Sequence, residues 1–487
     1  MRRLATARPA LAVAAAALAL AAPAARAQGG GASASPLVGW ADSAKGLSEG
    51  ARLHTTLVHP PYGHTLGIHR ARPKHLEIFL GGRTTFDDPQ GLAAVKFASD
   101  DDPDAEGDDF QLTLFGVNAG RGEVIYNSSM KTLGLYGGEG GGDGNFSSPH
   151  GITATADGRV YVADTGNRRV ARLRWDPVGR ALRWVGSWSA GRPFDVAADA
   201  RGNAWVVDRE ADAVLRFADS AAGAGTALLP PSPIEAGRWP LPEDATAPLG
   251  IAVGDSLDPW YRPRAYRLHL VDRDGERLRI LDVEGRVRAE VSAGALAREG
   301  VAAGRFLYLA LDHYGNVYAT DPVAEAVHKF DPSLGHLATF HGPGPEEWAL
   351  RQPRGIAIWK RFGQVFVAER EGARYFFVGT DFAVADPARI RVEGPGRYAL
   401  GLFLTEAATV RLAFLDASGD TLAMADAGGW PTGEVTVRWG EGEWRPMPPQ
   451  SGWMERAERV AVVARPTYSS RKKFRRVRTV DVEWRRP

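Results

Sequence analysis

Six residues stand at equivalent turns along this chain: Gln90, His150, Phe194, Leu249, Leu307 and Arg354. Each precedes a short apolar strand, so side chains at these turns would meet if the strands converge. Among them only His150 carries an imidazole, a side chain able to ligate a metal. It therefore reads either as a packed, hydrogen-bonded turn residue or as a single ligand contact.

Arg209, Arg273 and Arg370 form a second set, each directly following an acid (Asp208, Asp272, Glu369), and Arg354 joins them from the turns. Guanidinium groups sharing one face would favour a carboxylate, sulfate or phosphate. The alternative is that each pairs with a nearby acid, as Asp-Arg-Glu (208–210) and Asp-Arg-Asp (272–274) allow. The acidic run Asp100–Asp109 offers hard oxygens of the kind that hold Ca2+, but without the alternating order of a calcium loop. A solvated loop is the competing reading. There is no G-x-S-x-G, H-E-x-x-H, P-loop or C-x-x-C. Paired carboxylates for glycoside hydrolysis would come from distant segments and leave no local mark.

The elements that position these residues repeat. Pro149–Leu173 reads as apolar strand, Gly-containing turn, apolar strand ending in an acid, then a third strand. The units at 193–217, 306–330 and 353–377 echo it. Gly158, Gly202, Gly315 and Gly363 each lie six residues before Asp164, Asp208, Asp321 and Glu369, where a tight hairpin needs positive φ. Asp272 marks a fourth unit, with Tyr266 at the Gly position. Asn127 takes the acid position of a divergent first unit. The steps between aligned positions are 37, 44, 64, 49 and 48 residues, the longest holding the Pro/Gly/Ala-rich stretch 218–248. An all-strand period of this size predicts a six-bladed β-propeller over 74–381. Lys74–Gly82 is expected to add the missing outer strand of the sixth blade and close the ring.

From residue 382 the spacing changes to strands 10–20 residues apart, which predicts a small antiparallel β-sandwich over 382–487. The fold class is thus all-β. Residues 1–27, with a basic start, an Ala/Leu run and Ala25-Arg26-Ala27, have the layout of a signal peptide. Residues 28–73 read as a linker or N-terminal extension. The chain would then be secreted or periplasmic, with no integral membrane segment after cleavage. It has no cysteine, so a large core must hold the fold without disulfides.

Charge is nearly balanced, 59 basic against 58 acidic residues, and removing Arg2, Arg3, Arg8 and Arg26 with the leader leaves 55 against 58. Nothing in that balance suggests nucleic acid. The basic stretch Arg471, Lys472, Lys473, Arg475, Arg476 and Arg478 reads as a solvated hairpin or as a contact for acidic polysaccharide or a membrane surface.

The segments PHGI, DGRVYVAD and GNRRV in the 149–170 unit make the repeat resemble the NHL family, with weaker matches in the other units. That resemblance implies a six-bladed propeller. It implies no single activity, because the family includes enzymes, protein-binding and RNA-binding modules. Enzymes resembling the peptidyl-hydroxyglycine amidating lyase place zinc-binding histidines at the turn of His150 in several blades. Phe194, Leu249, Leu307 and Arg354 take those places here, which argues against that use. The fragment VRLAFLDASGDTLA is similar to a hairpin of appended Ig-like modules.

The expectation is therefore a non-enzymatic binding or scaffold module. Its partner would be a protein, peptide or surface glycan, including an anionic one, held at the channel mouth by His150, Arg209, Arg273, Arg354 and Arg370. No cofactor and no complete metal site is expected, Ca2+ or Zn2+ entering only with the acidic run or with His150. The competing expectation is a lyase or hydrolase of the amidating-lyase type with a partial or absent metal site.

Overall fold

The structure is a computed structural model, and it describes residues 57–58, 70–101, 111–128, 132–218, 234–341, 349–361, 363–378, 380–467 and 475–486. Residues 1–27, expected to be a leader, most of 28–73, most of the acidic run, the middle of 218–248 and residues 471–473 lie outside them.

Six antiparallel sheets succeed one another along the chain. Their innermost strands are Pro89–Val95, Ile152–Ala154, Pro193–Ala198, Ile251–Gly254, Leu309–Leu311 and Ile356–Trp359. Blades 1 to 5 each have four strands in sequence order. Val, Leu, Ile, Tyr and Trp on both faces of the second strands are buried because each blade is covered by the next. Gly158, Gly202, Gly315 and Gly363 all adopt positive φ.

The aligned acid acts between strands. Asp164 accepts from the Ser147 amide at 2.7 Å, Asp208 from Arg192 at 2.9 Å and Glu369 from Arg351 at 2.9 Å. Asp321 accepts from Gly304 at 2.6 Å and Arg305 at 3.0 Å. Each acid thus ties down the segment leading into its own inner strand. In blade 1 that place belongs to Asn118, whose side chain accepts from the Asp87 amide at 2.8 Å. Asn127 lies on the third strand, paired with Leu114. The first step of the repeat therefore runs from 118 to 164 and matches the others; the insertion after the inner strand displaced the sequence alignment.

Ring closure also differs from the expectation. Pro73–Leu80 is an α-helix. Pro73 sits at its first position, Gly81 ends it at φ 62°, and Leu76 and Leu80 bury one helical face. This i, i+4 spacing defeats the alternation a strand would need. The closing strands are Leu57–Val58 and Arg70–Ala71, both antiparallel to Gly372–Val378.

The C-terminal strands, Phe382–Ala383 to Arg476–Arg485, form a sandwich-like region in which one continuous eight-stranded sheet wraps a single core. All its pairings are antiparallel except Ala388–Gly394 with Arg476–Arg485. Tyr398, Phe414, Trp444, Trp453 and Trp484 cluster in that core. The DASGD turn joins Ala408–Leu415 to Thr421–Trp430 as a hairpin. Blade 5 carries the contact to this region. The Lys329 ammonium and Glu406 carboxylate pair out of solvent, Lys329 Nζ donates to the Thr405 carbonyl at 2.6 Å, and Tyr318 donates to Glu406 at 3.2 Å.

Candidate functional site at the channel mouth

The inner strands start where neighbouring backbones nearly touch. Gly91 donates to the His150 carbonyl and Gly151 to that of Phe194, both at 2.9 Å. A Cβ on Gly355 would fall 2.2 Å from the Gln90 carbonyl oxygen, and one on Gly250 2.2 Å from that of Leu307. This is the physical reason for Gly after the turn residue. Two blades break the rule, with Asp195 in blade 3 and Tyr308 in blade 5.

Those two side chains occupy the mouth. Tyr308 stacks on Phe194, centroids 5.6 Å apart at 22°, and donates its hydroxyl to Gln90 Oε1 at 3.0 Å. Blades 1, 3 and 5 are thereby joined across the channel by a buried plug. Asp195 lies beneath, accepting from the amides of Ile251 at 3.0 Å and Val196 at 2.9 Å. Burial pushes its carboxyl up to about 7, against the pull of those two amides.

His150, Arg209 and Arg354 gather around this plug. The His150 ring meets Phe194 at 4.9 Å, and the Arg209 guanidinium lies over the Phe194 ring itself, 5.6 Å from its centroid. Thr165 donates its hydroxyl to the Pro193 carbonyl, so His150 Nδ1–H points at Ser148 O and Thr165 Oγ1, both 2.9 Å away. Burial lowers the imidazole pKa, partly countered by the Ser148 carbonyl and Asp88. The ring is neutral near pH 7, with Nε2 as an acceptor. Arg354 pairs with Asp88, which also accepts from Gln90 Nε2 at 3.1 Å.

Arg209 pairs with Asp274 at 2.9 Å, an acid of the next blade that also takes Arg305 at 2.7 Å. Arg273 lies apart, held by Asp244 at 3.0 Å alongside Arg277 and Arg279. Arg277 in turn grips buried Asp272 through two bonds of 2.8 Å. Arg370 is exposed at the edge of blade 6 and has no ion pair among the described residues. The five candidates thus divide: three surround the plug, Arg273 belongs to a structural network, and Arg370 borders a separate hollow. Phe194 was read only as a residue unable to bind metal. The signal of Tyr308 and Asp195 in the sequence is a non-glycine residue in the glycine position of the repeat.

Among the described residues no three His, Asp or Glu side chains are placed to share a metal ion. No helix among them is long and apolar enough to cross a membrane. The mouth offers a neutral imidazole, an arginine–carboxylate pair, an aromatic floor and partly satisfied guanidinium donors. That set can bind by hydrogen bonding and stacking.

Fold and mouth together define a six-bladed β-propeller whose mouth is crossed by buried contacts of blades 1, 3 and 5. Its second blade carries an NHL repeat, the NHL family model matching residues 146–173. Similar solved structures include virginiamycin B lyase from Staphylococcus aureus, 13% identical with TM-score 0.36 over 54% of this chain and 77% of that one. A gluconolactonase from Xanthomonas campestris is 15% identical with TM-score 0.39, covering 68% and 99%. PorZ, a surface component of the type-IX secretion system of Porphyromonas gingivalis, is 12% identical with TM-score 0.42, covering 90% and 58%. No curated protein matches the chain.

Proposed function

We propose that this chain is a non-enzymatic binding module that engages a protein, peptide or surface glycan through the mouth face of its propeller. The observation carrying this reading is the plug. Phe194, Tyr308 and Gln90 fill the place where a channel-mouth enzyme would admit substrate, and their surroundings are aromatic and cationic. A partner would be gripped on the surface, its anionic groups shared between Arg209 and Arg354. The amidating-lyase alternative needs several metal ligands at the turns, where His150 stands with Gln90, Phe194, Leu249, Leu307 and Arg354. Export by the leader and a periplasmic or secreted location remain part of this proposal.

The test is a binding screen of the full chain against acidic peptides and uronate oligosaccharides at low and high salt, repeated with Arg209→Glu. Salt-sensitive binding weakened by the substitution supports the reading. Stoichiometric zinc accompanied by turnover of a peptidyl-hydroxyglycine would overturn it in favour of the enzyme.

A further inference from the structure

Away from the plug, on the same face, a hollow of about 730 Å³ opens between blades 5 and 6 and the closing strand. Its size is that of a small-molecule site. Seven charged side chains line it. Arg70 and Glu369 neutralise each other at 3.3 Å in its buried part, and Glu369 also faces Arg374 at 3.5 Å. Arg351 has a partner of its own.

The remaining four are of both signs. Arg72, Arg370, Glu325 and Glu371 are all exposed, and none has an ion pair or side-chain hydrogen bond among the described residues. Other cations on this face do pair with acids, as in Arg209–Asp274, Arg273–Asp244 and Arg354–Asp88. Two cations and two anions unmatched among the described residues around one hollow are complementary to a ligand that itself carries both charges. A polyanion would gain from the arginines and be repelled by the glutamates; a polycation would meet the reverse.

We propose that this hollow binds short zwitterionic peptides, the carboxylate taken by Arg72 and Arg370 and the ammonium by Glu325 and Glu371. Guanidinium groups suit the planar carboxylate, and carboxylates accept from the three N–H bonds of an ammonium. The inference rests on the mouth-face binding reading and narrows its ligand class at one place on that face.

The experiment is calorimetric titration of the full chain with tetraglycine, N-acetyl-tetraglycine, tetraglycine amide and trigalacturonate. Free tetraglycine should bind, and blocking either end should weaken it by about tenfold, as should Arg370→Gln or Glu371→Gln, each removing a charge-assisted contact. Arg209→Glu should leave tetraglycine binding unchanged. The proposal falls if tetraglycine fails to bind, if blocked peptides or trigalacturonate bind as well as the free peptide, or if the Arg370 and Glu371 variants bind normally. Acidic ligands that bind and are lost with Arg209→Glu, in a protein that ignores tetraglycine, would sink the hollow and leave the mouth reading standing. Both fall if neither class binds.

Discussion

Replacing Lys329 by Met should turn the joint between blade 5 and the C-terminal region into a pH-dependent defect. The wild-type ammonium donates to the Thr405 carbonyl, pairs with Glu406 and lies 5.4 Å from the Tyr318 ring centroid, with both charged groups sealed from water. Burial already pushes the Glu406 carboxyl upward, and Lys329 is the main group opposing that shift. Without the cation, the buried carboxyl must take up a proton to stay folded, whereas in the unfolded chain it ionises near 4.5. The folded state then binds the extra proton, so stability falls as pH rises from about 4.5 towards the raised folded value. At about 1.4 kcal/mol per pH unit, the penalty reaches roughly 3 kcal/mol by pH 7, the scale known for a buried pair stripped of one partner. Glu406→Leu should cost a similar amount without this slope, because it strands the ammonium instead. The double variant Lys329→Met/Glu406→Leu should recover most of the loss, since an apolar pair of similar volume needs no compensation. Urea unfolding at pH 5, 7 and 8.5, assembled as a double-mutant cycle, measures each quantity. A Lys329→Met penalty below about 1 kcal/mol at all three values, or a double variant as damaged as the two singles added together, would refute the reasoning.

Three further outcomes follow from the mouth. Asp195, held near 7 by burial when folded and near 3.8 when unfolded, should make wild-type stability decline as pH rises between those values, and Asp195→Asn should flatten that decline in urea midpoints. Gly355→Ala should cost about 2–3 kcal/mol in the same assay, because its methyl would press on the Gln90 carbonyl and force two inner strands apart. Tyr308→Phe should keep the stack on Phe194 yet leave Gln90 Oε1 buried without its donor, for a loss of about 1–3 kcal/mol; an unchanged melting curve would contradict that account.

What could be read from the residues depended on how local the physics was. The blade count was legible because a hairpin glycine and an acid at the strand end six residues later are local constraints that recur in unit after unit. The first blade misaligned because an insertion separated its inner strand from Asn118, the residue that does the acid's work there. The closing strand was misplaced because Lys74–Gly82 is apolar enough for a strand, while the spacing of Leu76 and Leu80, with Pro73 before them and Gly81 after, belongs to a helix. Among the candidate residues, the pairing of Arg209 with Asp274 and Arg354 with Asp88 spans 65 and 266 positions, a separation no motif encodes. Tyr308 and Asp195 were visible as exceptions to a glycine rule, but the rule acquires meaning only when the neighbouring backbone is seen 2–3 Å from the absent Cβ.

Closure of the ring by Leu57–Val58 and Arg70–Ala71 sets an order of events for the folding chain. Every other ladder in the propeller joins segments near in sequence, and its loop closes at small entropic cost. The final ladder brings together segments some three hundred residues apart. Blade 6 must therefore exist before its outer partner can dock, although that partner is the first part of the described chain to be synthesised. Until then Gly372–Val378 presents an open edge. The lifetime of this one unpaired strand is the interval in which two chains can join edge to edge instead of each closing on itself.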